Sequence, residues 1–422
     1  MFDSSNLLRV AIVGCGSRAP GLGHEIEDAK LGRVTALCDI KEESLKRTQP
    51  EFPNAAPFTD IHALGRCKDV DAVVIGTPDD KHVGPALELR PYKKHLLVEK
   101  PLAISIEDCD RLVRGFAEEK ETVQMVGLCM RYTNLMMRVH NLVASGAIGE
   151  ILTAHCVDYV SVGGDYYFHR WMSRKKHVVG LLLQKGCHSL DFISWIIGSR
   201  PVKVHAFGGL DYYGGEEPAG KVCSKCDDFD TCTERMGALI QYDYGKDAVL
   251  ASDYCAFSRD VDVCDNSVVN VLYESGAKLS YTEVHFSPDY VREFAFVGTK
   301  GRLEVMAPHR GHHELFLTFR HRPGKLIHET VELDPGGHGG GDRAMLVEFV
   351  NAINQKRPPL TDFHAGRECA AISLSAERSI ETGEVVAIPN VDGTPRQVTR
   401  RKGRARELVR AEMVRKSNFG LQ

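Results

Sequence analysis

The sequence predicts an α/β protein in which a doubly wound parallel sheet is followed by an α+β domain with a large, mostly antiparallel, open-faced sheet. Three observations predict it. Short apolar runs alternate with helical stretches over about the first 125 residues. After Gly127 the texture changes to strands with one apolar face, separated by turn signals. The 422 residues also exceed one ordinary hydrophobic core, so two domains are expected.

Taken in order, Leu8–Val13 is a buried apolar run ending at Gly14-Cys15-Gly16, and Val34–Cys38 repeats the pattern before Asp39. Ala72–Ile75 and Leu96–Val98 are two more such strands. Helices are expected around Glu42–Thr48, around His62–Leu64, over Val83–Leu89, and over Ile106–Lys120 by its helical apolar spacing. A helix over Thr133–Ser145 ends at Gly146 and Gly149. Strands follow at Ile151–Tyr159, Val202–Phe207, Met236–Tyr242, Ala248–Ala256, Val268–Tyr273, Lys278–Glu283, Arg292–Val297 and Arg302–Met306. A glycine-rich loop, Gly336–Gly341, leads into a helix over Arg343–Ile353, and a last helix spans about Gly366–Ile380. The expected domains are 1–128, 129–390 (its last helix packing back on the first domain) and a basic tail, 391–422.

Composition narrows the function. Hydrophobic residues at 43%, charged residues at 26% and a net charge of -4 are ordinary globular usage, and exclude a dedicated nucleic-acid or membrane-surface binder. No apolar run approaches the roughly 20 residues of a membrane span. The start, MFDSSNLLRVAIVGCG, lacks a signal peptide's basic and cleavage regions, so a cytoplasmic location is expected. Of thirteen cysteines, most sit singly in apolar runs and read as small buried hydrophobes in a reducing compartment.

Gly14-Cys-Gly16-Ser17-Arg18-Ala19 has G-x-G-x-x-A spacing directly after a strand. The first glycine makes the tight turn, the second admits a pyrophosphate, and the small third residue packs closely, which is the logic of a dinucleotide site. Asp39 closes the second strand about 23 residues later, where a carboxylate would bond adenosine ribose hydroxyls and repel a 2′-phosphate. NAD is therefore expected over NADP, with Lys41 the one contrary charge nearby; the alternative for Asp39 is a helix cap.

At Val98-Glu99-Lys100-Pro101-Leu102-Ala103 the chain resembles the glucose–fructose oxidoreductase / inositol dehydrogenase family (Gfo/Idh/MocA), whose members carry an E-K-P motif after this strand. The resemblance continues through Gly76-Thr77-Pro78 with His82, Gly146-Ala-Ile-Gly149-Glu150, Gly186-Cys-His188-Ser-Leu-Asp191, Phe296-Val-Gly298-Thr299-Lys-Gly301 and Ala376-Glu377-Arg-Ser379, covering about residues 8 to 390. It implies that Lys100 lies beside the nicotinamide and bonds substrate hydroxyls, and it allows a cis bond at Pro101. Ser17, Arg18, Thr77, Pro78, His82 and Glu99 complete the expected cofactor site with Gly14, Gly16, Asp39 and Lys100.

Oxidising a carbinol requires a base near neutral pKa, which histidine provides without tuning and lysine only when burial or a cation depresses it. The family's H-x-x-D pattern falls on His188 and Asp191, with Asp191 taken as a substrate contact. Where family dehydrogenases often have aspartate, four residues before the histidine, this chain has Gln184, followed by Lys185. That departure leaves the base open between Lys185 and His188, taken as an acid/base pair with Lys100 orienting the hydroxyl. The run Asp165-Tyr-Tyr-Phe-His169-Arg170-Trp171-Met-Ser-Arg174 offers aromatics for a sugar face and arginines for an anionic group, and His338 could reach substrate from the glycine-rich loop. His169, Arg170, Trp171, Arg174 and His338 are accordingly substrate-site candidates; a basic loop pinned by buried aromatics is the competing reading.

Cys223-Ser-Lys-Cys226 and Cys232 have C-x2-C-x5-C spacing. With Cys255 as fourth ligand they suggest a closed structural zinc site, free surface thiols or a Cys223–Cys226 disulfide being the alternatives.

The expected activity is NAD-dependent oxidation of a hydroxyl on a sugar, sugar acid or cyclitol. The alternative is an NAD-dependent glycosidase working by transient ring oxidation, elimination, water addition and re-reduction. A homodimer or homotetramer is expected, joined through the open sheet face.

Overall fold

The computed structural model describes residues 7–238, 253–309 and 311–399. The first sheet is built from β1 (Leu8–Val13), β2 (Gly32–Cys38), β3 (Ala56–Phe58), β4 (Ala72–Ile75), β5 (His95–Val98) and β6 (Gln124–Val126). All pair in parallel, in the order β3-β2-β1-β4-β5-β6, so the chain reverses direction across the sheet between β1 and β4. Alternate residues serve opposite faces: Val10, Ile12, Ala72 and Val74 pack on one side, and Ala11, Val13, Val73 and Ile75 on the other. Burial on both faces is why these strands read as unbroken apolar runs.

The intervening helices are α1 (Arg18–Asp28), α2 (Glu42–Thr48), α3 (Ile61–Arg66), α4 (Val83–Leu89) and α5 (Ile106–Gly115). α5 starts where Ser105 accepts from the Asp108 N–H, 3.1 Å away. It stops at Gly115, five residues short of the expected Lys120, because glycine there costs the helix about 1 kcal/mol against alanine. β3 and β6 were not anticipated; three residues each are too short for a periodic signal.

In the second sheet are β7 (Ile151–Tyr159), β8 (Pro201–Gly209), β9 (Asn266–Tyr273), β10 (Lys278–Val284), β11 (Val291–Gly298), β12 (Gly301–Pro308), β13 (His313–Phe319), β14 (Leu326–Val331) and β15 (Val386–Ala387). Their order is β14-β13-β12-β11-β7-β10-β9-β8-β15, and every pairing is antiparallel except β7 with β10. The inward phase of β7, β10 and β11 carries apolar residues until the strands end. There Asp158, Glu283 and Arg292 lie side by side, Asp158 in register with both of the others.

One face of this sheet is covered by α6 (Asn134–Ala144), α8 (Cys187–Ile197) and α10 (Phe363–Thr382); a single turn, α7 (Lys175–Val178), precedes α8. α9 (Gly341–Gln355) instead packs on the first sheet through Met345, Leu346 and Phe349. α10 joins the two cores: Phe363, Cys369 and Ala370 bury against the first domain, Ala371, Ile372 and Ala376 against the second. Beneath α10's middle, Arg367 is fully buried and bonds Asp110 of α5 at 2.8 Å.

The strand expected over Met236–Tyr242 lies outside the described residues from 239, and that over Ala248–Ala256 up to 252. Its remaining part holds the isolated bridge between Val222 and Tyr254. The tail lies outside them from residue 400. Among the described residues no helix is long and apolar enough to cross a membrane.

Burial pushes the Glu377 carboxyl in α10 up to about 8, far above its unfolded value. The folded chain keeps this proton while the unfolded chain loses it above about 4.5, so this group's contribution to stability falls as pH rises from 5 to 8. Glu377→Gln stays neutral throughout. Its melting temperature should therefore gain on the parent's by a few degrees across that interval; a gap that stays constant in parallel thermal scans would contradict the burial assignment.

Candidate active site

The cofactor half of the site forms at the carboxyl ends of β1, β2, β4 and β5, at the switch point of the first sheet. Gly14 has φ +91°, and a Cβ there would stand 2.8 Å from the Thr77 N–H nitrogen, so only glycine fits. A Cβ on Gly16 would meet nothing within 4 Å, which leaves open space over the turn. Ala19 is fully buried against Gly76, where a larger side chain would collide. Ser17 begins α1 without capping it, so the helix presents uncapped N–H groups to the same space.

Asp39 closes this half. Its Oδ2 accepts from the Cys15 N–H at 2.9 Å and its Oδ1 from the Lys41 N–H at 2.8 Å, while α2 itself begins only at Glu42. A carboxylate has about four acceptor positions, so two remain for ribose hydroxyls. The residues present thus fit a dinucleotide: a glycine cradle, a free helix terminus and a carboxylate at the ribose position.

Other expected cofactor residues have different partners. Arg18 gives Nε to Glu99 at 2.9 Å and grips both oxygens of Asp342, at 2.7 and 2.8 Å. Glu99 is 4% exposed and faces Arg18. His82 is 1% exposed, with its ring nitrogens 2.7 Å from the Pro101 carbonyl and 3.0 Å from the Thr77 carbonyl. These contacts brace Glu99, His82 and Arg18, and all three also line the cavity. Thr77 and Pro78 line it directly, and the Lys100–Pro101 peptide is cis.

The cavity, about 1740 Å³, continues into the second domain. Lys100 Nζ donates to the Gln184 carbonyl at 2.6 Å and to its side-chain Oε1 at 2.7 Å. Gln184 in turn faces Asp79, 3.1 Å away, whose carboxyl burial pushes up to about 6. Gln184 therefore does not leave a gap where the family has aspartate: it bridges Lys100 to a carboxylate on the first domain.

Lys185 and His188 come from a π-helical turn, Leu182–Gly186, running into α8. The turn follows a γ-turn at Val179, φ +65°, closed by the Gly180 N–H to the Val178 carbonyl at 2.7 Å. A β-branched residue there is strained by about 1–3 kcal/mol. Lys185 Nζ stands 2.7 Å from Asp158 Oδ2, close enough for an ion pair but too oblique for a hydrogen bond. Asp158 also accepts from Ser189 at 2.7 Å and from Arg292 Nε at 3.3 Å. Burial alone would push its carboxyl up, yet Arg292 and Lys185 hold it well below the usual carboxylate range.

His188 is 7% exposed and lines the cavity; its Nδ1 is buried and has no hydrogen-bond partner. Burial, then Lys100, His338, Lys185 and Arg292, press its pKa well below the usual histidine value. His338, its ring 5.4 Å away, has the opposite environment: Cys129 and Asp342 push it well above that value. Its backbone is left-handed, φ +51°, in a loop whose Gly336, Gly339 and Gly340 also have positive φ.

Three expected substrate contacts are corrected. Asp191 forms a buried pair with Arg131 at 2.6 and 2.7 Å and does not line the cavity, because one turn past His188 its side chain points back into the domain. His169 is 1% exposed, with one ring nitrogen on the Tyr254 carbonyl and the other 2.7 Å from that of Glu234. Arg174 pairs with Asp260 at 3.2 Å and stacks over Tyr254. Arg170, Trp171 and His338 do line the cavity.

The cysteine expectation is also corrected. Among the described residues, one group of three or more His, Cys, Asp or Glu brings its donor atoms within 4.8 Å of one another, and it is Cys129, His338 and Asp342. Cys223, Cys226, Cys232 and Cys255 do not gather. Backbone pairing, Cys223 N–H to the Asp253 carbonyl and Cys255 N–H to that of Lys221, fixes their segments, and Cys223 Sγ meets the His169 ring at 3.6 Å. In the Cys129 cluster Arg18 already holds both oxygens of Asp342, and His338 Nδ1 lies 3.0 Å from one of them.

Asp79, Asp158, Tyr290, Arg292 and Asp342 were missed. Arg292 shares its strand phase with Phe294 and Phe296, and Asp158 with Ala154 and Cys156; a charge on the apolar phase was the available signal.

Comparison with known proteins agrees with this fold. Residues 8–127 match the family model described as oxidoreductase family, NAD-binding Rossmann fold, and residues 136–304 the GFO/IDH/MocA C-terminal domain. YteT of Bacillus subtilis (strain 168) is 26% identical over 375 residues, 81% of this chain and 87% of its own. A glycosyl hydrolase family 109 protein of Solibacter usitatus is 26% identical over 411 residues, 90% of this chain and 87% of its own. A levoglucosan dehydrogenase, in complex with NADH and levoglucosan, has the same fold at TM-score 0.71 and 17% identity, over 91% of this chain and 100% of that one.

Asp39→Ala should lower NAD affinity roughly tenfold, the loss of bonds to a charged acceptor, and leave NADP affinity equal or higher. Calorimetric titration with both cofactors checks it; an unchanged affinity ratio would remove Asp39 from the ribose site.

Proposed function

From its membership of the Gfo/Idh/MocA oxidoreductase family, to which the chain belongs, we propose that this protein oxidises a hydroxyl of a sugar, sugar acid or cyclitol with NAD rather than NADP. The observation that carries the reading is His188: a buried imidazole on the cavity wall, hemmed in by proton carriers that keep it neutral. When bound, NAD supplies the hydride acceptor. The chain's part is to position and deprotonate the carbinol. His188 Nδ1 is wholly buried, so Nε2 is the nitrogen left to accept the hydroxyl proton. Lys100 Nζ, fixed by Gln184, donates to the hydroxyl oxygen and lowers the cost of its negative charge. Lys185, charged against Asp158, is an electrostatic partner and acid, not the base.

His338 favours a second reading, glycoside cleavage in which the same cofactor is reduced and reoxidised within one turnover. That chemistry needs a proton donor for the leaving group beside the base, and an imidazole pushed high lies next to one pushed low. Net NADH formation separates the two, a cleaving enzyme releasing aglycone without it.

The exposed face of the second sheet carries Phe207 at 64%, Met306 at 48% and Leu326 at 56% exposure. A second copy of this chain would cover them, giving a homodimer or homotetramer.

His188→Ala and Lys185→Met should each lower kcat by about 10²–10⁴-fold while NAD binding survives. A variant that keeps near-parental kcat shows its residue to be structural. Light scattering at micromolar concentration should return an oligomer, and a monomer would leave the sheet face without a partner.

A further inference from the structure

The second-domain end of the cavity has more positive charge than its own carboxylates balance. Arg292 lines it and is 12% exposed; its guanidinium lies 5.8 Å from the Phe192 ring centre and its Nε meets Asp158, but its two terminal nitrogens have no hydrogen-bond or ion-pair partner among the described residues. Arg170 also lines it, stacks on the exposed Tyr166 ring at 4.8 Å, has a buried Nε without a partner, and makes no ion pair among the described residues. Lys185, 3% exposed, keeps N–H groups off Asp158, and His313, 7% exposed, has a buried Nδ1 without a partner. Tyr290 connects these groups: Lys185 Nζ lies 5.8 Å from its ring centre, and Tyr166 and Arg292 both act on it electrostatically. Of the two carboxylates beside this cluster, Asp158 is already shared by Lys185 and Arg292, and Glu283 is engaged by the Tyr281 hydroxyl and the His285 ring.

Desolvated cations without counter-ions cost free energy, so the arrangement makes sense with an anion that arrives with the ligand. The dinucleotide does not supply it, since its pyrophosphate belongs at the Gly14–Gly16 turn on the other domain. A planar guanidinium with both terminal nitrogens free matches two oxygens of one group.

We propose that the carbohydrate substrate carries an anionic oxygen group, a carboxylate or a sulfate ester, received by the free fork of Arg292 with Arg170 closing over it from the Tyr166 side. The proposal rests on the oxidoreductase reading for its carbohydrate and specifies its class. The anion sits beside Lys185 and positions the ring so that a hydroxyl, and not the charged group, meets His188 and Lys100.

The test is equilibrium binding to the NAD-loaded protein, measured by calorimetry and so independent of turnover. The probes are D-glucuronate, D-galacturonate and D-glucose 6-sulfate, each against its neutral parent hexose. At least one anionic probe should bind tighter than its parent by roughly 10- to 100-fold, the worth of bonds to a charged group. The carboxylate and sulfate arms separate the two sources of the charge. Arg292→Gln should abolish the preference. Arg170→Gln, at a half-buried residue with no ion pair, should reduce it about tenfold and guards against misfolding of the first variant. Anionic probes binding no better than their parents, or a preference that survives both substitutions, would overturn the proposal. Absence of NADH with every sugar, despite an intact anion preference, would instead sink the oxidoreductase reading alone.

Discussion

The buried pairing of Asp158 with Lys185 and Arg292 is the contact on which the rest of the site depends. Asp158 and Arg292 end neighbouring strands in register, and Lys185 arrives from the turn before α8. Removing one member of such a group leaves a buried charge unpaired, at a cost of about 3–5 kcal/mol. The pairing therefore fixes where α8 begins, and with it the place of His188 three residues on. It also bears on roles: Lys185 is paired with a carboxylate, and with burial and Lys100 it helps keep His188 neutral.

The cofactor side is tied to this arrangement through Arg18. One guanidinium joins Glu99, beside Lys100 on the first domain, to Asp342 at the start of α9. Asp342 in turn holds His338, and α9 packs on the first sheet, so the glycine turn, the E-K-P motif and the glycine-rich loop form one connected body. α10 adds a second connection by giving one end to each core. The walls of the cavity are thus joined to one another across both domains.

What was legible in the sequence was local. Buried parallel strands, the G-x-G-x-x-A turn, Asp39 and the E-K-P motif each declare themselves within a few residues, and the fold class follows from their order. Short or polar edge strands did not: β14 alternates exposed and half-exposed residues, and β15 has two. Asp191, His169 and Arg174 misled because a polar side chain near a site reads the same whether it faces substrate or braces the wall. Their partners, Arg131, Tyr254 and Asp260, lie 60 to 86 residues away in sequence. The cysteine spacing suggested a metal, but spacing does not show where backbone pairing sends each sulfur.

Burial, together with the cations around it, holds His188 neutral as the base. This is tested most directly by following the His188 ring by NMR in protein labelled at histidine, with the signal assigned through His188→Gln. His188 should titrate, if at all, well below the ordinary histidine value of about 6.5. A ring that gains its proton at or above that value would contradict it.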